Sequence, residues 1–141
     1  MIGTEAMRQE SVEYLKTSMD MAKEMGADFT LISAGHSGYG TTYKEMWDRL
    51  VKTVRELADH AEKIQHKLIM ETLTTYESNV IKNANDLQEL FRWVDSPYLV
   101  GMCDIVAPFT QSESIMDYFD KLGDKMYHMP VSYTHLRAHE T

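Results

Sequence analysis

The sequence predicts an α/β fold with a parallel sheet, and three observations predict it. Segments with the apolar spacing of helices alternate with short runs of β-forming residues. Those runs end near His36, Glu71 and Asp104, so successive run ends lie 35 and 33 residues apart, about one βα unit per step. The helix signal is strongest between the first two runs, where nine apolar positions from Met46 to Ile64 follow i, i+3, i+4 spacing.

The elements follow in order. "EAMRQESVEYLKTSMDMAKEMGA" spaces Met7, Val12, Leu15, Met19, Ala22 and Met25 for a helix over about Thr4 to Met25, with these residues facing a core and Gly26 as its stop. "ADFTLISAG" is a strand that runs into the loop "GHSGYG", whose glycines are misplaced for a dinucleotide fingerprint. A helix spans Tyr43 to Ile64, and the strand "KLIME" follows it. The next helix covers about Asn83 to Val94, with Asn83 or Asn85 as its cap and Pro97 barring its extension. "YLVGMCDIVA" is the third strand, and a helix from about Ser112 to Leu122 stops at Gly123. A fourth strand starts at "KMYHM".

In parallel α/β folds, sites are built from loops at the carboxyl ends of the strands, and His36, Glu71 and Asp104 all fall there. Glu71 ends an apolar strand in "LIMETLTTYESN". Burying a charge there costs several kcal/mol unless it is paired or metal-bound. Either carboxylate alone can also read as a structural cap of a loop. Together, at equivalent strand ends, Glu71 and Asp104 suit a hard divalent cation. His36 reads either as a loop histidine bonded to backbone or as a site residue. Tyr76 and Glu77 lie in a polar loop whose plain reading is a solvated turn, and Cys103 reads as a small hydrophobe.

Composition narrows the classes. A net charge of -8 over 141 residues argues against a nucleic-acid binder, which needs clustered Lys and Arg. The single cysteine excludes an internal disulfide and fits a reducing compartment, so the cytoplasm is expected. No apolar run approaches the roughly 20 residues of a membrane span, and no signal peptide is visible at the N-terminus. A small-molecule ligand is the expected partner.

The segments "ESVEYLKTSMDMAKEMGADFTLISAGHSGY", "IMETLTTYESNVIKNANDL" and "MCDIVAPF", followed by "MDYFDKLGDKMYHM", resemble the sugar phosphate isomerase/epimerase family with a xylose-isomerase-like TIM barrel. The resemblance covers about Met7 to Met129 and implies a partial (β/α)8 barrel, about half of one, since a whole barrel takes about 250 residues. It implies a ketose or fructosamine-type 3-epimerase/isomerase acting on a sugar or sugar-amine substrate. It also implies a divalent metal, Mn2+ first, with Co2+, Ni2+ or Zn2+ as alternatives. By the resemblance, Glu71 and Asp104 are metal ligands and Glu71 is also the acid/base group. A further His and a second catalytic Glu lie outside this chain, which as it stands is expected to be inactive. Glu77, His36 and Tyr76 are implied to contact substrate. Thr72 and Thr75 stand where the family often carries proline, which leaves substrate identity open.

After Met129 the family would continue with its metal-binding histidine, but here Pro130 opens the tail "VSYTHLRAHET". Residues 130–141 lack an apolar period and read as a translated sequencing adapter, so they are set apart from the barrel at 1–129. Two rival readings stand beside the epimerase. One is a phosphodiester hydrolase on the same barrel, which would need more strand-end histidines. The other is a non-catalytic half-barrel that assembles with another copy, since open strand edges invite association.

Overall fold

The computed structural model describes residues 4–130. Helix α1, Glu5–Glu24, starts where Thr4 Oγ1 accepts the Met7 N–H at 3.3 Å. Glu5 in its first turn and Lys23 in its last suit the helix dipole. Strand β1 is Phe29–Ser33. Helix α2, Tyr43–Ile64, opens on a reciprocal capping box between Thr42 and Glu45. Its end is a left-handed residue, Gln65, at φ 52°. Strand β2, Lys67–Glu71, leads to helix α3, Ala84–Trp93, capped by Asn83. Strand β3 is Leu99–Met102, helix α4 Val106–Thr110, helix α5 Ile115–Leu122 and strand β4 Met126–His128.

Two expectations need correction. The third strand stops at Met102, because Asp104 accepts backbone N–H groups and turns "VAPFT" into the short helix α4. The methionine pattern of α1 also misled: Met19 is buried, but Met7 and Met25 are 59% and 83% exposed. In place of Met7, Arg8 is buried in the junction of α1 with α2. Its guanidinium meets Glu5 at 2.9 Å and Glu56 at 3.0 Å, and Lys52 reaches Glu5 at 2.8 Å. A buried charge holds its place only when it is paired in this way. The Arg8 and Lys52 cations hold the Glu5 carboxyl down at about 2.

The four strands pair in parallel in the order β1-β2-β3-β4. Strand pleating sends alternate residues to opposite faces. Ile32, Leu68, Met70 and Leu99 join the helices' core, which includes Leu50, Leu57, Leu87 and Leu90, while Ile69, Val100 and Met102 form a smaller cluster with Phe29 on the other face. β1 and β4 bound the sheet, yet the rings of Phe29 and Tyr127 meet edge-to-face at 6.3 Å. The sheet therefore curls until its outer strands confront each other, and the second cluster lines its concave side. Gly101 lets α3 and α5 close on β3: a Cβ there would lie 3.2–3.3 Å from Phe91, Leu122 and Leu87.

His66 precedes β2 with its Nε2 2.9 Å from Thr30 Oγ1 and is 3% exposed. Burial, aided by Lys23, lowers its pKa below the usual 6.5. Among the described residues, no helix is long and apolar enough to cross a membrane.

Two outcomes follow. Leu57→Ala opens a cavity under α2 and should cost about 2–5 kcal/mol in urea denaturation. For His66 the folded state prefers the neutral ring, so its contribution is complete above 6.5 and is lost as pH falls below that value. His66→Gln should flatten the decline in urea midpoint on acidification below 6.5, while an equal slope in both proteins would contradict this.

Candidate functional site

Pleating answers why an apolar strand ends on a charge. Leu68 and Met70 point to the helices, Ile69 to the concave side, and two residues after Ile69 the same face receives Glu71. Glu71 thus stands at the carboxyl-end rim of the sheet, in register with Ser33 of β1 and Met102 of β3. Asp104 follows Met102 by two residues. Its Oδ1 accepts the Val106 N–H at 3.0 Å and its carbonyl accepts the Ala107 N–H at 3.1 Å, which fixes it at the start of α4.

Glu71 and Asp104 line one cleft of about 480 Å³, together with Thr72, Thr74, Tyr76, Glu77 and the start of α4. Among the described residues, no donor engages the Glu71 carboxylate. Burial, then the neighbouring charges of Asp104 and Glu77, raise its pKa above the usual 4.5. Three carboxylates line the cleft, and the negative charges of Asp104 and Glu77 near Glu71 favour a proton or a cation there. Hard oxygen donors of this kind suit a divalent ion. They form only part of a ligand set, since among the described residues no three His, Cys, Asp or Glu side chains are grouped to hold a metal.

Glu77 is held by its own turn: the Thr74 N–H and Oγ1–H donate to Glu77 Oε2 at 3.1 and 2.7 Å. Between them, Tyr76 is 88% exposed at the rim of the cleft. His36 lies in the adjacent loop and outside the residues lining the cleft. It is exposed, its Nδ1 accepts the Gly38 N–H at 3.0 Å, and its ring rests 5.4 Å from that of Tyr39. The cleft therefore collects Glu71, Asp104, Tyr76 and Glu77 and leaves His36 beside it.

Several supporting residues escaped the sequence reading. The Ser37 N–H donates to Asn79 Oδ1 at 3.0 Å and Ser78 Oγ donates to the Gly35 carbonyl at 2.8 Å, which ties the His36 loop to the Glu77 loop. Beneath the rim, the buried Tyr118 hydroxyl donates to Thr72 Oγ1 at 3.2 Å, bracing the residue next to Glu71. Burial pushes the Cys103 thiol up to about 12, which leaves it a protonated, inert packing group.

The raised pKa of Glu71 has a consequence for stability. The folded protein keeps this proton to a higher pH than the unfolded chain does, so ionisation removes stability as pH rises above 4.5. Glu71→Gln should raise the urea midpoint at neutral pH, with the gain fading as pH falls toward 4.5. In a carboxyl-13C NMR titration, Asp104→Asn should lower the Glu71 midpoint only in part, because burial is the larger cause. An unmoved midpoint would mean that the two carboxylates do not sense each other.

Comparison with known proteins places this chain in a family. The model of the xylose isomerase-like TIM barrel family matches residues 3–140. The fructoselysine 3-epimerases of Escherichia coli O157:H7 and Shigella flexneri are 52% and 51% identical over 131 residues, which is 93% of this chain and 48% of each relative. The chain thus spans about half the length of the curated relatives it matches. Among solved structures, the 3-keto-D-glucoside 4-epimerase of E. coli superposes with a TM-score of 0.77 at 12% identity, covering 84% of this chain and 48% of that one. The D-psicose 3-epimerase of Clostridium cellulolyticum H10, solved with D-tagatose, gives 0.75 at 22% identity, covering 86% and 44%. At these identities the two structures speak for the fold. The chain belongs to the xylose isomerase-like TIM barrel family and forms about half of such a barrel.

Proposed function

We propose that this chain is part of a divalent-metal-dependent sugar 3-epimerase, acting by proton transfer beside a carbonyl on a ketose or sugar-amine adduct of the fructoselysine type. The observation that carries the reading is the cleft shared by Glu71 and Asp104 at the carboxyl ends of β2 and β3. The 52% identity to a fructoselysine 3-epimerase supports the substrate class.

In this reading Glu71 is the base. Its carboxylate is partly desolvated and its basicity is raised by Asp104 and Glu77, which brings it closer to the strength that proton abstraction from carbon requires. A cation held by Glu71 and Asp104 would supply Lewis-acid stabilisation of the negative charge that develops on the substrate oxygen. Asp104, fixed by the α4 backbone, keeps its carboxylate directed at the same cleft. Tyr76 and Glu77 at the rim, with His36 on the neighbouring loop, are assigned to the substrate hydroxyls. Returning a proton to the opposite face needs a second carboxylate, and the resemblance assigns that Glu and a metal-binding His to later strands of the barrel. The reading fits a cytoplasmic protein.

We further propose that residues 130–141, although the family match runs to residue 140, are foreign to the barrel, as a translated adapter would be. Residues 131–141 lie outside the described ones. Genomic DNA past the codon for Met129 tests this: a His codon in place of Pro130 would support it, and the same Pro-Val-Ser sequence would contradict it.

In the full-length parent, Glu71→Gln should lower exchange of the substrate C–H proton with solvent by roughly 10²–10⁴-fold. Mn2+ should still bind, more weakly, as read by electron paramagnetic resonance. Exchange at the wild-type rate would remove the acid/base role.

A further inference from the structure

We infer that Glu113 is a positioning residue for Glu71, acting through the hydroxyls of Tyr118 and Thr72. The inference rests on the reading of Glu71 as the base of the proposed reaction. It starts from a polar atom that the packing leaves unsatisfied: Glu113 Oε2 is buried without a hydrogen-bond partner. Enclosing a carboxylate oxygen in this way costs free energy, so its presence calls for a physical account.

The backbone turns Glu113 inward through a strained residue. Ser112, in the connection between α4 and α5, takes φ 54°, in the left-handed region that favours glycine. After that turn the Glu113 N–H donates to the Pro108 carbonyl at 2.9 Å, and Glu113 Oε1 accepts the Ala84 N–H at 3.2 Å at the start of α3. Gln111 Nε2 donates to the Lys82 carbonyl at 2.7 Å, which ties the same connection to the segment before α3.

Tyr118 stands next to Glu113. Burial first, with the Glu113 charge adding to it, raises the phenol pKa above the usual 10, so the hydroxyl keeps its proton. Tyr118 and Thr72 have no exposed surface, so this chain's own elements enclose both. In the observed arrangement Tyr118 donates to Thr72 Oγ1 at 3.2 Å. Each hydroxyl carries one donor and free lone pairs, so rotation of the two O–H bonds reverses the pair: Thr72 then donates to Tyr118, and Tyr118 donates to Glu113. That direction satisfies the orphaned oxygen and links α3 and α5 to Thr72, the residue that follows Glu71. The peptide joining Glu71 to Thr72 is thereby fixed from the helical side of the sheet. Because no donor among the described residues engages the Glu71 carboxylate, the backbone carries its aim, and a misplacement of about 1 Å can cost a reaction roughly 10²-fold.

A double-mutant cycle in the full-length parent tests this, with Tyr118→Phe, Glu113→Gln and the pair. Tyr118→Phe removes only the hydroxyl, and Glu113→Gln keeps an oxygen for the Ala84 N–H. Each should lower kcat roughly tenfold with KM held within about twofold, and the pair should lose no more than either alone. In the metal-free 141-residue chain, 15N relaxation should show the Thr72 amide loosened by Tyr118→Phe and the Ala84 amide unchanged. Urea denaturation checks that each variant is folded, and Thr72→Val breaks the same link if Tyr118→Phe is not. Wild-type kcat in Tyr118→Phe, or losses that multiply in the pair, overturn the inference, since Glu113 would then cap α3 independently of Tyr118. A parent without epimerase activity overturns the reading of Glu71 instead, and the Thr72 relaxation then decides the inference alone.

Discussion

The alternation of side chains along β2 is the constraint on which the rest of the structure depends. Leu68 and Met70 are fully buried among the helices and hold the strand in one register. With that register fixed, Ile69 and Glu71 must face the concave side, and a slip of one residue would exchange the two sets. The packing that stabilises the half-barrel is thus the same packing that brings a carboxylate to the mouth of the sheet. Exposure of Glu71 at the rim limits the desolvation cost without abolishing it, which is why its pKa rises and does not return to the ordinary value.

Asp104 arrives at the same mouth by a different route. β3 ends two residues earlier, and the aspartate side chain and carbonyl take the first N–H groups of α4. One carboxylate is therefore set by a strand and the other by a helix start, on neighbouring units. The turn closed by Thr74 and Glu77 and the brace from Tyr118 to Thr72 fix the segment between them. Each of these contacts spends a polar group on positioning and leaves Glu71, of the cleft's three carboxylates, without a donor among the described residues.

The sequence was legible wherever one physical signal dominated. The bounds of α2 and β2 follow from long apolar periodicity and from a short apolar run, and both match the structure. Asn83 was readable as a cap because its side chain acts locally. That Glu71 and Asp104 end neighbouring βα units, where both line one cleft, was legible from the repeat of those units. The signal failed where pairing is long-range or where spacing is ambiguous. Met7 and Met25 lie 12 and 6 residues from Met19, about 120° around the helix to either side of it, so they do not share its buried face, and Met25 falls past the last turn of α1. The bonds from Ser37 to Asn79 and from Ser78 to Gly35 join residues more than 40 apart, and no local pattern marks them. "IVA" continues the β-forming composition of β3, and only the Asp104 backbone contacts break it.

The central claim is that Glu71 and Asp104 grip one cation. Its most direct test is anomalous X-ray scattering from crystals of the full-length parent grown with Mn2+. The account predicts one peak at the cleft, within roughly 2.0–2.6 Å of an oxygen from each carboxylate. A peak bound to only one of the two, or a cation held elsewhere with both carboxylates turned away, would contradict it.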